Sequence, residues 1–272
     1  CRLPGDVIRA EESLWEEVGL HNTEPFKSEV NRLLGKKIEE KTDAVVNFER
    51  PDINAIVEIE KERVELQVNS LLIYGEYNKY KRGIPQTKWP CNNCKGDGCP
   101  ECDWTGKQYQ ESVEELIAEP VINAAKGIQS KFHGAGREDV DAKCFGKRPF
   151  VLEILEPERR NLELEELQER INKENKDKIE IFNLQFTHKD KIEEIKERRA
   201  DKKYRIILEL GRDVPKEELE KLEELKGTIK QRTPTRVEHR RAGKVRKRKV
   251  KEIVWKKLED NKIELEIKGE AG

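Results

Sequence analysis

KFHGAGREDVDAK, residues 131–143, sets Gly134, Gly136, Arg137, Glu138, Asp139 and Asp141 within eight residues, just ahead of the apolar run PFVLEIL. Glycines let a backbone turn sharply and approach a ligand closely. An arginine two residues from an aspartate can hold that carboxylate ionised even where water is excluded. Read alone, the stretch fits a salt-bridged surface loop as well as a reactive site. What flanks it separates the two readings.

Downstream, Phe150, Leu152 and Ile154 alternate onto one face, the pattern of a strand. Upstream, Ser112 and Glu115 make a capping box, and Pro120 restarts an apolar pattern through Val121, Ala124, Ala125, Ile128 and Phe132. That pattern predicts a helix whose C-terminal end delivers the glycine-rich loop. Further on, Leu164, Leu167 and Ile171 mark a helix over 161–175, KIEIFNLQFTH reads as a strand, and Asp190 caps a short helix. KKYRIILEL, residues 202–210, is the clearest strand of the chain. Pro215 opens a helix with Leu219, Leu222 and Leu225, Gly227 closes it, and a final strand pair is divided at Asp260 and Asn261. Towards the N-terminus, Val30, Leu33, Leu34 and Ile38 form one face of a helix from Pro25 to Lys41. Three short β-rich runs follow: Ala55 to Ile59, Val64 to Val68 and Leu71 to Tyr74. Helices and strands mixed without regular βαβ alternation indicate an α+β protein with a largely antiparallel sheet.

The 272 residues suffice for two ordinary domains. Charged residues make up 41% and hydrophobic ones 35%, a Lys- and Glu-rich balance like that of hyperthermophile surfaces, to which disordered charged tails would also contribute. The net charge of −1 hides a segregation: from Lys230 to Lys251 there are eleven Lys or Arg and one acid, Glu238. With no apolar run of membrane-spanning length and no signal-peptide pattern, the expectation is a soluble, cytoplasmic chain without a membrane role. There is no Met, and the sequence starts at Cys1; the expectation is that an N-terminal part and some loops lie outside it.

CNNCKGDGCPEC holds Cys91, Cys94, Cys99 and Cys102 as two CxxC knuckles, with Gly96 and Gly98 permitting tight turns. Thiolates so spaced suit one tetrahedral Zn²⁺, which four sulfur ligands would make structural. The short separation leaves open whether all four share one ion or one pair joins cysteines elsewhere, Cys1 included. Cys144 reads as a small buried residue. Just before the knuckles, YGEYNKYKRGIPQTKW interleaves Tyr74, Tyr77 and Tyr80 with Lys79, Lys81 and Arg82. Rings beside cations can stack bases and neutralise phosphates; alternatively the tyrosines pack the flank of a hairpin.

This Tyr- and Lys-rich stretch resembles the THUMP-like RNA-binding region of tRNA-modifying enzymes. Three stretches in order, HGAGREDVDAK, KKYRIILEL and QRTPTRVEHRRAGKVRKRKV, resemble the catalytic domain of pseudouridine synthases, most closely the archaeal and eukaryotic pseudouridine synthase 10 family. QTKWPC and SVEEL extend the resemblance over most of the chain. It implies an N-terminal THUMP-like α/β module with a four-cysteine zinc knuckle over residues 1–105. A catalytic domain with a largely antiparallel mixed sheet and flanking helices would follow over 106–272. It also implies isomerisation of uridine to pseudouridine in the T-arm of tRNA, at tRNA positions 54 and/or 55, with no organic cofactor and a monomeric enzyme. Asp139 would be the essential carboxylate, as nucleophile or as base toward the sugar. Tyr204 would stack on the extruded uracil, and Arg137 would partner Asp139 or fill the vacated place in the stack. Glu138 and Asp141 would hold the loop. Arg232, Arg236, Arg240 and Arg241, with His239 among them, would grip phosphates, and Tyr77, Lys79, Lys81 and Arg82 would add RNA contacts. The family's further motif, beginning roughly GTYIKE, would start where this sequence stops. The alternative from the residues alone is a non-catalytic zinc-containing RNA-binding protein.

Overall fold

The computed structural model describes residues 1–198, 200–233, 242–259 and 261–270. Helices α1 (Gly5–Val18) and α2 (Phe26–Lys41) are followed by strands β1 (Ile53–Glu58), β2 (Arg63–Val68) and β3 (Leu71–Lys79). Next come α3 (Val113–Ala125), β4 (Gln129–Gly134), β5 (Cys144–Leu155), α4 (Leu164–Glu174), β6 (Ile179–Phe186) and α5 (Asp190–Glu197). The chain ends with β7 (Lys202–Glu209), α6 (Lys216–Glu220), β8 (Gly227–Arg232), β9 (Val245–Glu259) and β10 (Lys262–Gly269). It divides into two compact units, Cys1–Lys196 and Glu197–Gly272. The division suggested by the sequence, after residue 105, therefore falls inside the first unit.

The first unit is built on an antiparallel sheet in the order β4-β5-β3-β6. One face carries Leu71, Ile73 and Tyr77 of β3 with Phe150, Leu152 and Ile154 of β5, all buried. Val113, Ile117, Val121 and Ala125, four apart on α3, and Ile171 of α4 close over it. Strand β3 is longer than the sequence suggested. The β-rich run expected from the sequence ends at Tyr74, yet alternating burial carries the strand on to Lys79. At Gly75 only glycine fits: an added Cβ would lie 2.7 Å from both the Phe150 ring and the Leu184 side chain. As a result β3, assigned by sequence to the N-terminal module, is the centre of this sheet.

Two further expectations are corrected here. Pro120 restarts nothing: α3 runs through it from a cap in which the Glu115 amide donates to Ser112 Oγ. The helix then ends at Lys126, which is left-handed (φ 50°), with the Gly127 amide donating to the Ile122 carbonyl. A Cβ at Gly127 would press to 2.4 Å from Ile154. Phe132 therefore lies on β4, and a strand rather than a helix feeds the glycine-rich loop.

In the second unit the sheet order is β7-β10-β9-β8, antiparallel throughout. Ile253, Ile263 and Leu265 form its buried centre. The opposite face is an ion-pair ladder, Lys203–Glu266 (2.6 Å), Arg205–Glu266 (3.2 Å) and Lys268–Glu252 (3.3 Å). The expected helix after Pro215 divides into α6 and a 3₁₀ turn, Lys221–Leu225. Leucines spaced by three match the three-residue turn of a 3₁₀ helix rather than the 3.6 of an α-helix. Gly227 opens β8 at φ 112° rather than closing the helix.

Candidate active site

The glycine-rich loop, residues 135–143, connects β4 to β5, and its main chain is held from below. Gly136 turns it at φ 74°. The Gln86 side-chain amide donates to the Gly136 carbonyl (2.9 Å) and to the Tyr77 hydroxyl (2.9 Å). Gly134 leaves room for that amide, since a Cβ there would sit 2.9 Å from Gln86 Nε2. Arg148 Nη1 donates to the Ala135 carbonyl (2.9 Å). The Gly83 amide donates to the Val140 carbonyl (2.9 Å), and the Ala142 amide to that of Asp139 (3.1 Å).

Glu138 is the hub beneath. Its side chain is 4% exposed, and Oε2 accepts from the Tyr77 hydroxyl at 2.7 Å. Arg148 Nε lies 3.1 Å from the same oxygen, an ion pair without hydrogen-bond alignment. Oε1 has no hydrogen-bond partner but lies 3.8 Å from Lys79 Nζ. Burial, with the Glu138 charge beside it, holds the Tyr77 phenol well above its usual range. Asp139 and Arg137 are both exposed. The Arg137 charge also acts on half-buried Glu114, whose carboxyl is raised overall, chiefly by burial. The arrangement can present a carboxylate to solvent from a main chain with little freedom to move.

Two expected RNA contacts are overturned. Tyr77 and Lys79 are fully buried, on the inward face of β3, and can neither stack on bases nor touch phosphates. Lys81 and Arg82, just past the strand, are exposed, and Lys81 pairs with Glu111 at 3.3 Å. In the second unit Tyr204 lies on edge strand β7 opposite Ile267, 51% exposed. Arg232 ends β8. Arg236, His239, Arg240 and Arg241 lie outside the described residues.

All four knuckle cysteines meet. Their sulfurs lie within 4.8 Å of one another, with Cys91–Cys99, Cys94–Cys102 and Cys99–Cys102 at 3.9, 3.8 and 3.7 Å. A tetrahedron of Zn–S bonds of about 2.3 Å has edges of about 3.8 Å, so the donor set fits one such ion, and the four could hold a metal ion. Cys1 takes no part. The Gly98 amide donates to Cys94 Sγ, and those of Cys99 and Gly106 to Cys102 Sγ. Burial opposes ionisation of Cys102, yet those amides and the neighbouring thiols outweigh it and bring the thiol down to about 6. The loop closes where the Cys91 amide meets the Gly106 carbonyl at 2.8 Å. Gly106, which the sequence reading passed over, is required there: its φ is 68°, and a Cβ would strike the Gly96 carbonyl at 2.2 Å.

A family model described as Pus10, C-terminal, matches residues 72–272, and one for the archaeal Pus10 THUMP domain matches residues 1–58. The chain belongs to the Pus10 family. It is 48% identical over 275 residues to the tRNA pseudouridine synthase Pus10 of Methanothermobacter marburgensis, covering 100% of this chain and 68% of that protein. The namesake in Methanopyrus kandleri is 42% identical, with 92% and 59% covered, and that of Methanocaldococcus jannaschii 45%, with 87% and 52%. The chain thus spans about half to two thirds of the length of these relatives. One chain of a crystal structure of a Cbf5-Nop10-Gar1 complex is similar over 59% of this chain and 36% of its own, at 20% identity and a TM-score of 0.33, too low to compare sites. The knuckle lies outside the stretch matched by the THUMP model and inside the Pus10 C-terminal one. Among the described residues no helix is long and apolar enough to cross a membrane.

Sequence reasoning gave Glu138 its loop-holding role but missed Gln86 and Arg148. Gln86 lies in QTKWPC, a stretch that carries the family resemblance, but nothing in that stretch tells what its amide bonds. Arg148 carries no motif signal, because it acts through the partner that folding brings to it.

Proposed function

We propose that this Pus10 chain isomerises uridine to pseudouridine in tRNA, in the T-arm, with Asp139 as the essential carboxylate. The observation that carries the reading is the loop: an exposed aspartate on a main chain pinned by Tyr77 of β3, Arg148 of β5 and buried Gln86 between β3 and α3, in a family whose curated members are named tRNA pseudouridine synthases. Breaking the bond between uracil nitrogen and the sugar, and rejoining through carbon, needs a group beside the anomeric carbon, to add to it or to stabilise its charge. A rigidly mounted carboxylate suits that need, because misplacement by about 1 Å can cost on the order of 100-fold in rate. Tyr204 is assigned the stacking role against the extruded base, and Arg137 the place beside Asp139 or in the gap left in the RNA stack. Lys81, Arg82, Arg232, Arg236, Arg240 and Arg241 are assigned to phosphates. The ion at the knuckle is zinc, structural because four thiolates leave no open coordination position.

The test is pseudouridine mapping on an unmodified tRNA transcript, with the protein and its Asp139→Ala variant. Pseudouridine in the T-arm from the wild type alone bears the reading out. A variant that binds tRNA and still forms pseudouridine refutes the role of Asp139. Tight binding with no product from either protein favours the zinc-containing RNA-binding alternative.

A further inference from the structure

Lys79 is the last residue of β3, and its side chain is 0% exposed. Its Nζ donates to the carbonyls of Ile84 (2.8 Å), Asp139 (3.0 Å) and Val140 (3.2 Å), which uses all three protons of an ammonium. Burying such a charge is unfavourable unless it is paired and hydrogen-bonded. Burial accordingly lowers the lysine's pKa, and Glu138 pulls against that from 3.8 Å. The other charged or titratable groups facing it are Asp139 on the loop and Cys144 and Arg148 on β5.

A lysine serving only to fill the core could spend its protons on any nearby carbonyls. Two of the three here belong to Asp139 and its neighbour. A carbonyl fixed at residue 139 restrains the rotation that follows its Cα. On the other side, the Glu138 carboxylate is tied to the Tyr77 hydroxyl at 2.7 Å, which restrains the peptide entering Asp139. The main chain is thus clamped before and after the one residue whose carboxylate the reaction uses.

We propose that Lys79 is a positioning residue for Asp139: its buried ammonium holds the Asp139 and Val140 carbonyls and so aims the Asp139 carboxylate, with Glu138 as its counter-charge. The proposal rests on the reading of Asp139 as the reactive group. It gives a use to a cation that cannot reach RNA, and it makes the protonation of a group outside the reacting centre a condition for the rate.

The experiment uses the intact protein and an unmodified tRNA transcript, with single-turnover pseudouridine formation and tRNA binding measured on the same preparations. Lys79→Met keeps the length of the side chain and removes its charge. The expected result is a rate about 30- to 100-fold below wild type, the size of a displaced catalytic group. Binding of tRNA should stay within about twofold, since no phosphate contact is lost. Glu138→Gln removes the counter-charge, so the ammonium loses its proton at lower pH and the alkaline limb of the pH–rate profile moves to lower pH. A Lys79→Met rate equal to wild type overturns the proposal, as does a rate loss matched by an equal loss of binding. An unmoved alkaline limb in Glu138→Gln overturns the pairing. If Lys79→Met fails to fold, judged by circular dichroism, the Glu138→Gln profile decides alone. Asp139→Ala at the wild-type rate would instead overturn the assignment of Asp139, a failure distinct from that of Lys79.

Discussion

Replacing Gly134 by Ala should loosen the loop through one side chain, Gln86. An ideal Cβ at Gly134 lies 2.9 Å from Gln86 Nε2 and 3.0 Å from Oε1, some tenths of an ångström inside ordinary contact. The backbone at Gly134 is ordinary strand, so no conformational strain adds to the cost. Gln86 has little room to retreat, being 4% exposed, with Nε2 engaged at 2.9 Å to both Gly136 and Tyr77. A shift of about 0.5 Å would carry both bonds to the edge of useful length, and losing two buried bonds costs about 2 kcal/mol, within a range of roughly 1–3. In urea that is a fall in midpoint of about 1 M for a slope of roughly 2 kcal/mol per M. The discriminating assay is a double-mutant cycle with Gln86→Ala. With the amide gone, Gly134→Ala should cost less than about 0.5 kcal/mol, which leaves a coupling of about 1.5 kcal/mol. Equal penalties for Gly134→Ala in both backgrounds would refute the reasoning, because the clash would then lie elsewhere.

Other outcomes follow from the same geometry. Stripping the metal with a chelator, or Cys102→Ser, should release the loop between Pro90 and Lys107 to proteolysis while α3 and the main sheet keep their circular dichroism; equal protease resistance with and without metal would count against the site. The Glu153 carboxyl is lowered although burial opposes it, because His133 at 2.9 Å, Ser70 and Lys131 favour its charge. Its contribution to stability is therefore present above the ordinary value of 4.5 and is lost as pH falls through the lowered one, so Glu153→Gln should flatten the acid limb of the stability–pH curve. Neutralising Lys247 or Arg232 on the basic β8–β9 pair should weaken tRNA binding and lower the slope of log K against log salt by about 1 each, whereas charge changes at Lys203 on the ion-pair ladder should leave that slope unchanged.

The sequence made the sheet residues legible wherever polarity and burial agree. Phe150, Leu152 and Ile154 alternate, and alternation is what a half-buried strand requires. The four cysteines were legible as candidate metal ligands because CxxC spacing lets two sulfurs reach one ion, but that all four meet was settled only by the fold. The reading failed at Lys79 and Tyr77 for a physical reason: lysine is almost never buried unless paired, so a Tyr–Lys run reads as surface until its partner is known. That partner, Glu138, stands some sixty positions away in sequence. The partners of Gln86 and Arg148 were hidden on the same grounds. The turn at Gly106 was missed because its need arises from the carbonyl of Gly96, a constraint formed only when the knuckle closes.

The interlock of Gly75 with Phe150 and Leu184 also constrains how this protein can change over generations. A side chain at position 75 is blocked while Phe150 keeps its ring, and shrinking Phe150 first leaves a hollow at the centre of the sheet. Either single step costs stability, and because Leu184 stands as close to position 75 as the ring does, packing is restored only when Leu184 yields as well. The order of substitutions is therefore restricted: a lineage must first accumulate surplus stability elsewhere, then lose the ring, and only afterwards fill the gap from β3. The centre of the sheet beneath the loop is a place where drift proceeds in coupled steps or not at all.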